Sequence, residues 1–383
     1  MPEFLTDDQK MIQSMVREFA SDRVKSGARE RDRTKAFPHD LIKEMAELGI
    51  LGIAIPEEWG GAGADTLSYI MAVEELARQC GSTSITLAAH FSLCTYPLYA
   101  FGSDEQKKKY LTPLAKGEWL GCYGLTEPGA GSDAGSTRTT AVRKGDAYIL
   151  NGSKRFITNG SYARIMIATA RTDPEQKGAK GVSAFIIDTQ SKGYRVLKQE
   201  DKLGLRASDT AEIVFEDLEV PAGNLLGDLN TGFSRFMKTL EGGRISIGAL
   251  GLGLGQGALD RAIPYVKERQ AFGKPIGAFQ AVGFKIANMA MELEAARSLV
   301  YRAARAKDAG IEFGHIASMA KLYSSEAGVR AAHEAIQCLG GYGYMEEYEV
   351  ERFARDVKLC EIGEGTSEIQ RMILARHHLG RLS

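Results

Sequence analysis

The stretch EIGEGTSEIQ, Glu361 to Gln370, sets one carboxylate between two glycines just before a run of helical spacing. Ser367 and Gln370 fit an S-x-x-Q capping box, Ile369, Met372 and Ile373 supply an apolar stripe, and Gly380 ends it. Glu364 therefore lies outside the helix, upstream of its N-terminus. Flanked by Gly363 and Gly365, it can meet a bound molecule closely, and exposed amides at a helix start stabilise negative charge there. That is the layout of a general base. An exposed acid that merely favours the helix dipole has the same local sequence, so the rest of the chain must decide.

At 383 residues the chain exceeds the length at which one core stops growing, so two or three domains are expected. Its 48 basic and 49 acidic residues nearly cancel, which removes the electrostatic attraction that nucleic-acid binding needs. Five scattered cysteines, Cys80, Cys94, Cys122, Cys338 and Cys360, form no C-x-x-C pair, so neither a disulfide framework nor a zinc site is indicated. No metal is expected. The N-terminal MPEFLTDDQK lacks the pattern of a signal peptide, and no apolar run is long enough to span a bilayer, so a cytoplasmic protein without membrane insertion is expected. The glycines of ISIGALGLGLGQGAL, Ile245 to Leu259, fall outside the G-x-G-x-x-G register and read as tight helix packing.

Thr6 opens a T-x-x-Q start, and Met11, Ile12, Met15, Val16 and Phe19 follow at helical spacing, with further helical segments to about residue 120. Short strand-like runs follow: Tyr148 to Leu150, Ile165 to Arg171, Val182 to Asp188 and Ala211 to Val220. Long helical stretches return after Gly232, roughly Arg244 to Gln270, Phe279 to Asp308 and His315 to Leu339. The order is helical, β, helical. A cleft where the three parts meet is a usual place for a cofactor.

Seven separated motifs then agree in order: YGLTEPGAGSD (Tyr123 to Asp133), FITNG (Phe156 to Gly160), KLGLRASDT (Lys202 to Thr210), GGR (Gly242 to Arg244), RQAFGKPI (Arg269 to Ile276), QCLGGYGY (Gln337 to Tyr344) and EGTSEIQR (Glu364 to Arg371). With them the chain resembles the acyl-CoA dehydrogenase family of flavoproteins, of the short- or medium-chain or branched-chain, bacterial-like type, from about residue 5 to 380. The resemblance implies an α+β, mostly α fold: an N-terminal helical domain (1–120), a small middle β-barrel domain (121–228) and a C-terminal four-helix bundle carrying the Glu loop (229–383).

It also implies FAD as cofactor, held by Tyr123, Leu125, Thr126, Ser132, Phe156, Ile157, Thr158, Arg269, Phe272, Gln280, Gln337, Gly340, Gly341, Thr366 and Glu368. Ser132, Glu241, Arg244 and Gly365 are implied for the acyl-CoA, and Glu364 is implied as the catalytic base. Phe156 stands where the family often has Trp, and Glu241 where it more usually has Asp. Members that carry the base elsewhere have it immediately before the arginine matching Arg244, and here that position is Gly243. Many straight-chain members have Tyr at the position of Gly363; its absence implies room for branched or ring-containing acyl groups unless Phe91 or Tyr96 fills the space.

The implied reaction removes an α-proton and a β-hydride from an acyl-CoA to give a trans-2-enoyl-CoA, with electrons leaving to an electron-transfer flavoprotein. A homotetramer is implied as well. The alternatives of the same fold are an acyl-CoA oxidase and a branched or cyclic acyl-CoA dehydrogenase; the terminal GRLS is no peroxisomal address. A nucleic-acid-binding relative without the chemistry is disfavoured by the balanced charge and the retained base. Adjacent His377 and His378 point to different helix faces and do not chelate together, and His90 reads as packing near the acyl pocket.

Overall fold

A computed structural model describes residues 5–380. The first part is helical. Its opening helix Asp7–Phe19 has the reciprocal Thr6–Gln9 cap that the sequence predicts, and it packs on the buried helix Thr66–Ala77. The helix Gly81–Ala88 runs on into a π-helical segment, Ala89–Thr95, and then the helix Tyr96–Phe101.

Seven strands form the middle part: β1 Gly121–Gly124, β2 Thr140–Lys144, β3 Ala147–Thr158, β4 Ile165–Arg171, β5 Val182–Asp188, β6 Tyr194–Gln199 and β7 Thr210–Pro221. β4 lies between β5 and β1, β1 and β4 run parallel, and one pair, Thr140 with Arg171, joins β2 to β4. From β2 the sheet continues antiparallel through β3 and β7 to β6. It has its own apolar core around Tyr148, Phe185 and Phe215.

Three of these strands leave no mark in the hydrophobic pattern. β1 is the glycine-flanked GCYG, whereas β2 and β6 face solvent and are rich in Lys and Arg, so neither alternates clearly. β3 is far longer than the Tyr148–Leu150 run, and its pairing with β7 slips between Lys154 and Ile157.

In the last part the helices Gly232–Glu268, Gln280–Asp308 and Gly314–Leu339 pack together, and the shorter Val350–Val357 and Ser367–Leu379 lean on Gly314–Leu339. The first begins at Gly232, well before Arg244, because Gly242 and Gly243 are tolerated inside it. Its glycine-rich run does permit close packing: a Cβ on Gly253 would lie 2.4 Å from the Glu74 carbonyl oxygen. Neighbouring backbones there leave no room for a side chain.

The first helical part and the sheet are joined by buried hydrogen bonds. The Gly121 N–H donates to His90 Nδ1 at 3.0 Å, and Asn159 Nδ2 donates to the carbonyls of Thr86 and Gly121. Burial pushes His90 down to about 4, so this ring is a neutral structural acceptor. Among the described residues no helix is long and apolar enough to cross a membrane.

Candidate active site

The loop before the last helix is strained and tied down. Glu364 has φ 52° and Gly365 φ 94°, and a non-glycine residue in the left-handed region persists only where its surroundings hold it. Lys321 Nζ donates to the Gly365 carbonyl at 2.7 Å, and Gln370 Nε2 donates to the carbonyls of Gly365 and Glu364 at 2.9 and 3.3 Å. The N-cap falls one residue earlier than the sequence pattern, and the reciprocal box does not form. Thr366 is the N-cap and accepts from the Ile369 N–H at 3.3 Å, while Gln370 holds loop carbonyls and caps no amide. Loop carbonyls need donors more than the helix start does, because Thr366 already satisfies that end.

The result is a half-buried acid with one carboxylate oxygen shielded. Glu364 Oε2 is shielded from solvent and has no hydrogen-bond donor among the described residues. Burial pushes its carboxyl up to about 7, with Lys321 and Arg244 pulling part of the way back. The exposed-acid reading of this residue therefore fails. The Glu364 N–H also meets no protein acceptor among the described residues. A Cβ placed on Gly243 would lie 2.0 Å from Glu364 Oε2 and 3.1 Å from Leu93 Cδ2, so the carboxylate occupies the space a side chain there would take.

Arg244, next on that helix, is buried with Nε unpaired. Burial lowers its pKa, and Glu241 and Glu364 oppose that shift. Glu241 is half-buried, with its carboxyl raised by burial despite Arg244. Lys321, buried on Gly314–Leu339, has its pKa pushed down to about 8 by burial. Neither Lys321 nor the role of Gln370 was visible beforehand. A lone lysine in SMAKLYSSEA was the only available signal.

The resemblance-derived flavin residues fall into separate groups. Leu125 and Thr126 are half-buried and Ser132 exposed in the loop after β1; this loop is held from beneath by buried Lys154, whose Nζ donates to the Leu125 carbonyl and to Glu127 Oε1. The Glu127 carboxylate also accepts from the Thr137 hydroxyl and the amides of Arg138 and Thr139. Phe156, at the slip in β3, has φ 59° and a ring 61% exposed. Ile157 beside it is buried and Thr158 half-buried. Tyr123 is buried and stacked on Phe236 at 4.3 Å, yet Glu364 is close enough to help raise its hydroxyl.

Arg269, Gln337, Gly340 and Gly341 line one open concavity of about 460 Å³ on the outer face of the bundle. Phe272 and Gln280 do not line it; Phe272 sits 95% exposed at the tip of a short hairpin, and Gln280 begins a helix, also exposed. Thr366 serves the cap, and the exposed Glu368 has its carboxyl lowered by its own N–H and the Thr366 hydroxyl. The three atoms nearest a Cβ position on Gly363 all belong to Leu359, at 3.6 to 3.8 Å, while Phe91 packs tilted against Tyr69 with ring centroids 4.2 Å apart.

These features suit FAD in kind: an exposed aromatic face beside a loop of hydroxyls, and an arginine in a concavity where glycines Gly340 and Gly341 meet nothing. Residues 6–118, 122–218 and 230–379 match the N-terminal, middle and C-terminal domains of acyl-CoA dehydrogenase. The chain is 52% identical to a probable acyl-CoA dehydrogenase, YngJ, of Bacillus subtilis, over 98% of this chain and 99% of that one. Among solved structures it is similar to butyryl-CoA dehydrogenase of Megasphaera elsdenii, with TM-score 0.96 and 45% identity over 98% and 99% of the two chains. It is also similar to a chain from a structure of the electron transferring flavoprotein of Acidaminococcus fermentans, with TM-score 0.97 and 48% identity over 98% and 99%. The chain belongs to the acyl-CoA dehydrogenase family, whose enzymes depend on FAD.

Proposed function

We propose that this protein dehydrogenates a short acyl-CoA thioester between Cα and Cβ, with Glu364 taking the α-proton. The observation that carries this is the shielded, donor-free Glu364 Oε2 lying over Gly243. A carboxylate in water is far too weak a base for a thioester α-proton, so the site must strengthen the base and stabilise the enolate together. Burial does the first, raising Glu364 toward 7. For the second, the free Glu364 N–H is available to the thioester carbonyl, and the φ of 52° holds that amide and the carboxylate in one loop.

Bound FAD would supply the acceptor for the β-hydride, and an electron-transfer flavoprotein would take the electrons onward. The α-proton goes to Glu364, the C–H pair becomes a trans double bond, and the chain's own contribution is position and proton transfer. Glu241, Arg244, Ser132 and Gly365 are read as acyl-CoA contacts. The bundle residues Arg269, Phe272, Gln280, Gln337, Gly340, Gly341, Thr366 and Glu368 are read as holding FAD shared between copies in a homotetramer. Segments 1–120, 121–228 and 229–383 are read as the working domains of a cytoplasmic enzyme.

Purified protein is expected to be yellow and to bleach anaerobically with butyryl-CoA. Glu364→Gln is expected to stay yellow and to bleach at least about a thousandfold more slowly. Near-normal bleaching by that variant would show that the base lies elsewhere. Running isobutyryl-CoA and a cyclic acyl-CoA in the same assay tests whether the missing side chain at Gly363 admits branching, and hydrogen peroxide release would identify an oxidase.

A further inference from the structure

Lys321 reaches the Glu364 loop without pairing to Glu364. Its side chain is buried on the helix Gly314–Leu339, and its one hydrogen bond among the described residues goes to the Gly365 carbonyl at 2.7 Å, one residue beyond the base. That carbonyl is already served by a neutral amide, because Gln370 Nε2 donates to it at 2.9 Å. The acceptor therefore does not need an ammonium for its own sake. A buried ammonium, by contrast, needs a countercharge.

The groups around Lys321 narrow that countercharge to one. Cys360 is close, but burial pushes its thiol up to about 12, so it is neutral. Glu361 is paired with Lys358, and Glu368 is exposed, where water and salt screen it. Arg244, on the facing helix Gly232–Glu268, is a like charge. The Tyr69 and Tyr123 hydroxyls on the other side of Glu364 are pushed up by burial and stay neutral. Glu364 remains, and its Oε2 is shielded and without a donor.

The two opposite charges nonetheless make no contact pair. A direct ion pair would fix the carboxylate as an anion and leave it a poor acceptor for a thioester proton, whereas a shielded carboxyl with no cation near it would stay protonated at neutral pH. Spending its donor on the backbone lets the ammonium avoid both outcomes. Resting on the reading of Glu364 as the base, we propose that Lys321 is its positioning residue: through Gly365 it anchors the loop, and across the loop its charge favours the ionised carboxylate without touching it.

The test is the pH dependence of flavin bleaching by limiting butyryl-CoA in FAD-loaded protein carrying Lys321→Met, Lys321→Gln or Lys321→Arg, with melting temperature and flavin absorbance reporting on the fold. Lys321→Met removes anchor and charge, Lys321→Gln keeps a donor for the Gly365 carbonyl, and Lys321→Arg keeps both. In Lys321→Met and Lys321→Gln the midpoint of the bleaching rate is expected to rise by at least about one pH unit, which makes both at least about tenfold slower at pH 6. At pH 9 Lys321→Gln should regain the unsubstituted rate, while Lys321→Met, with its loop loosened, should level off below it. Lys321→Arg should keep the original midpoint. An unmoved midpoint in Lys321→Gln, or an equal shift in Lys321→Arg, would make Lys321 a structural tie alone and overturn the proposal. Near-normal bleaching by Glu364→Gln would instead remove the base itself, whatever the Lys321 variants do.

Discussion

The Glu364 loop and the Arg269–Gln337 concavity are both assembled around the C-terminal bundle, but they are built in opposite ways. In the loop, a strained residue is fixed by Lys321 and Gln370, one oxygen of its carboxylate is shielded, and a helix gives up a side chain at Gly243 to make room. The concavity is open, its arginine is exposed, and its two glycines meet nothing within 4 Å. Chemistry needs a group whose pKa and position are set by its surroundings, which requires close packing within one chain. Binding a charged, flexible cofactor tail needs only reachable donors.

The largest expected effect breaks the closed region. Gly243→Ala puts a Cβ 2.0 Å from Glu364 Oε2 and 2.9 Å from Glu364 Cδ, with the flexible end of Leu93 also tight at 3.1 Å. The carboxylate, being the movable end of a side chain, must shift, so the protein should fold and bind FAD normally. Displacement of about an ångström at a reacting group is enough to lower kcat about a hundredfold. Stopped-flow bleaching measures this, and normal kcat in Gly243→Ala would mean that the carboxylate is not held by this packing.

This contrast also explains what the sequence shows and what it hides. Glu364 between two glycines is local, as is Gly243 before Arg244, and both could be read from order alone. The partners that give Glu364 its properties are not local. Lys321 is 44 residues from Gly365, and nothing in its own stretch says which carbonyl it meets. Gln370 looks like a capping residue because the pattern S-x-x-Q is satisfied by composition, whereas the backbone puts the cap at Thr366 and frees Gln370 for the loop. The Lys154–Glu127 pair beneath the β1 loop is likewise a tertiary contact. β2 and β6 were hidden for another reason: their outward faces are charged, and a strand with little buried surface has no alternation to read.

A smaller effect sharpens the account of the base. Substrate-free Glu364 titrates at about 7, so kcat/KM should rise about tenfold per pH unit below that value and level off above it. Stability carries the opposite sign. The folded carboxyl keeps its proton to about 7, whereas the unfolded one releases it near 4.5, so the folded state holds more protons in that window. Its contribution to stability is therefore lost as pH rises from 4.5 to 7. Glu364→Gln should melt above the unsubstituted protein at pH 8, with the gap closing at pH 5. A flat kcat/KM profile from pH 5 to 8 would mean that the carboxylate is solvated.

The smallest effect falls on the open region. Arg269→Ala should weaken FAD binding about tenfold, the value of one charge-assisted contact, while kcat at saturating FAD stays close to normal because the Glu364 loop is untouched. The exposed Arg269 guanidinium lies 5.7 Å from the Tyr342 ring centroid. If this concavity serves a cofactor seated mainly in a neighbouring copy, the loss should also depend on protein concentration, being largest when the protein is dilute enough to dissociate. Fluorescence titration of FAD at two protein concentrations reads both. A fall in kcat equal to the fall in affinity would erase the distinction between the two regions, because it would place the exposed arginine in the chemistry and not only in binding.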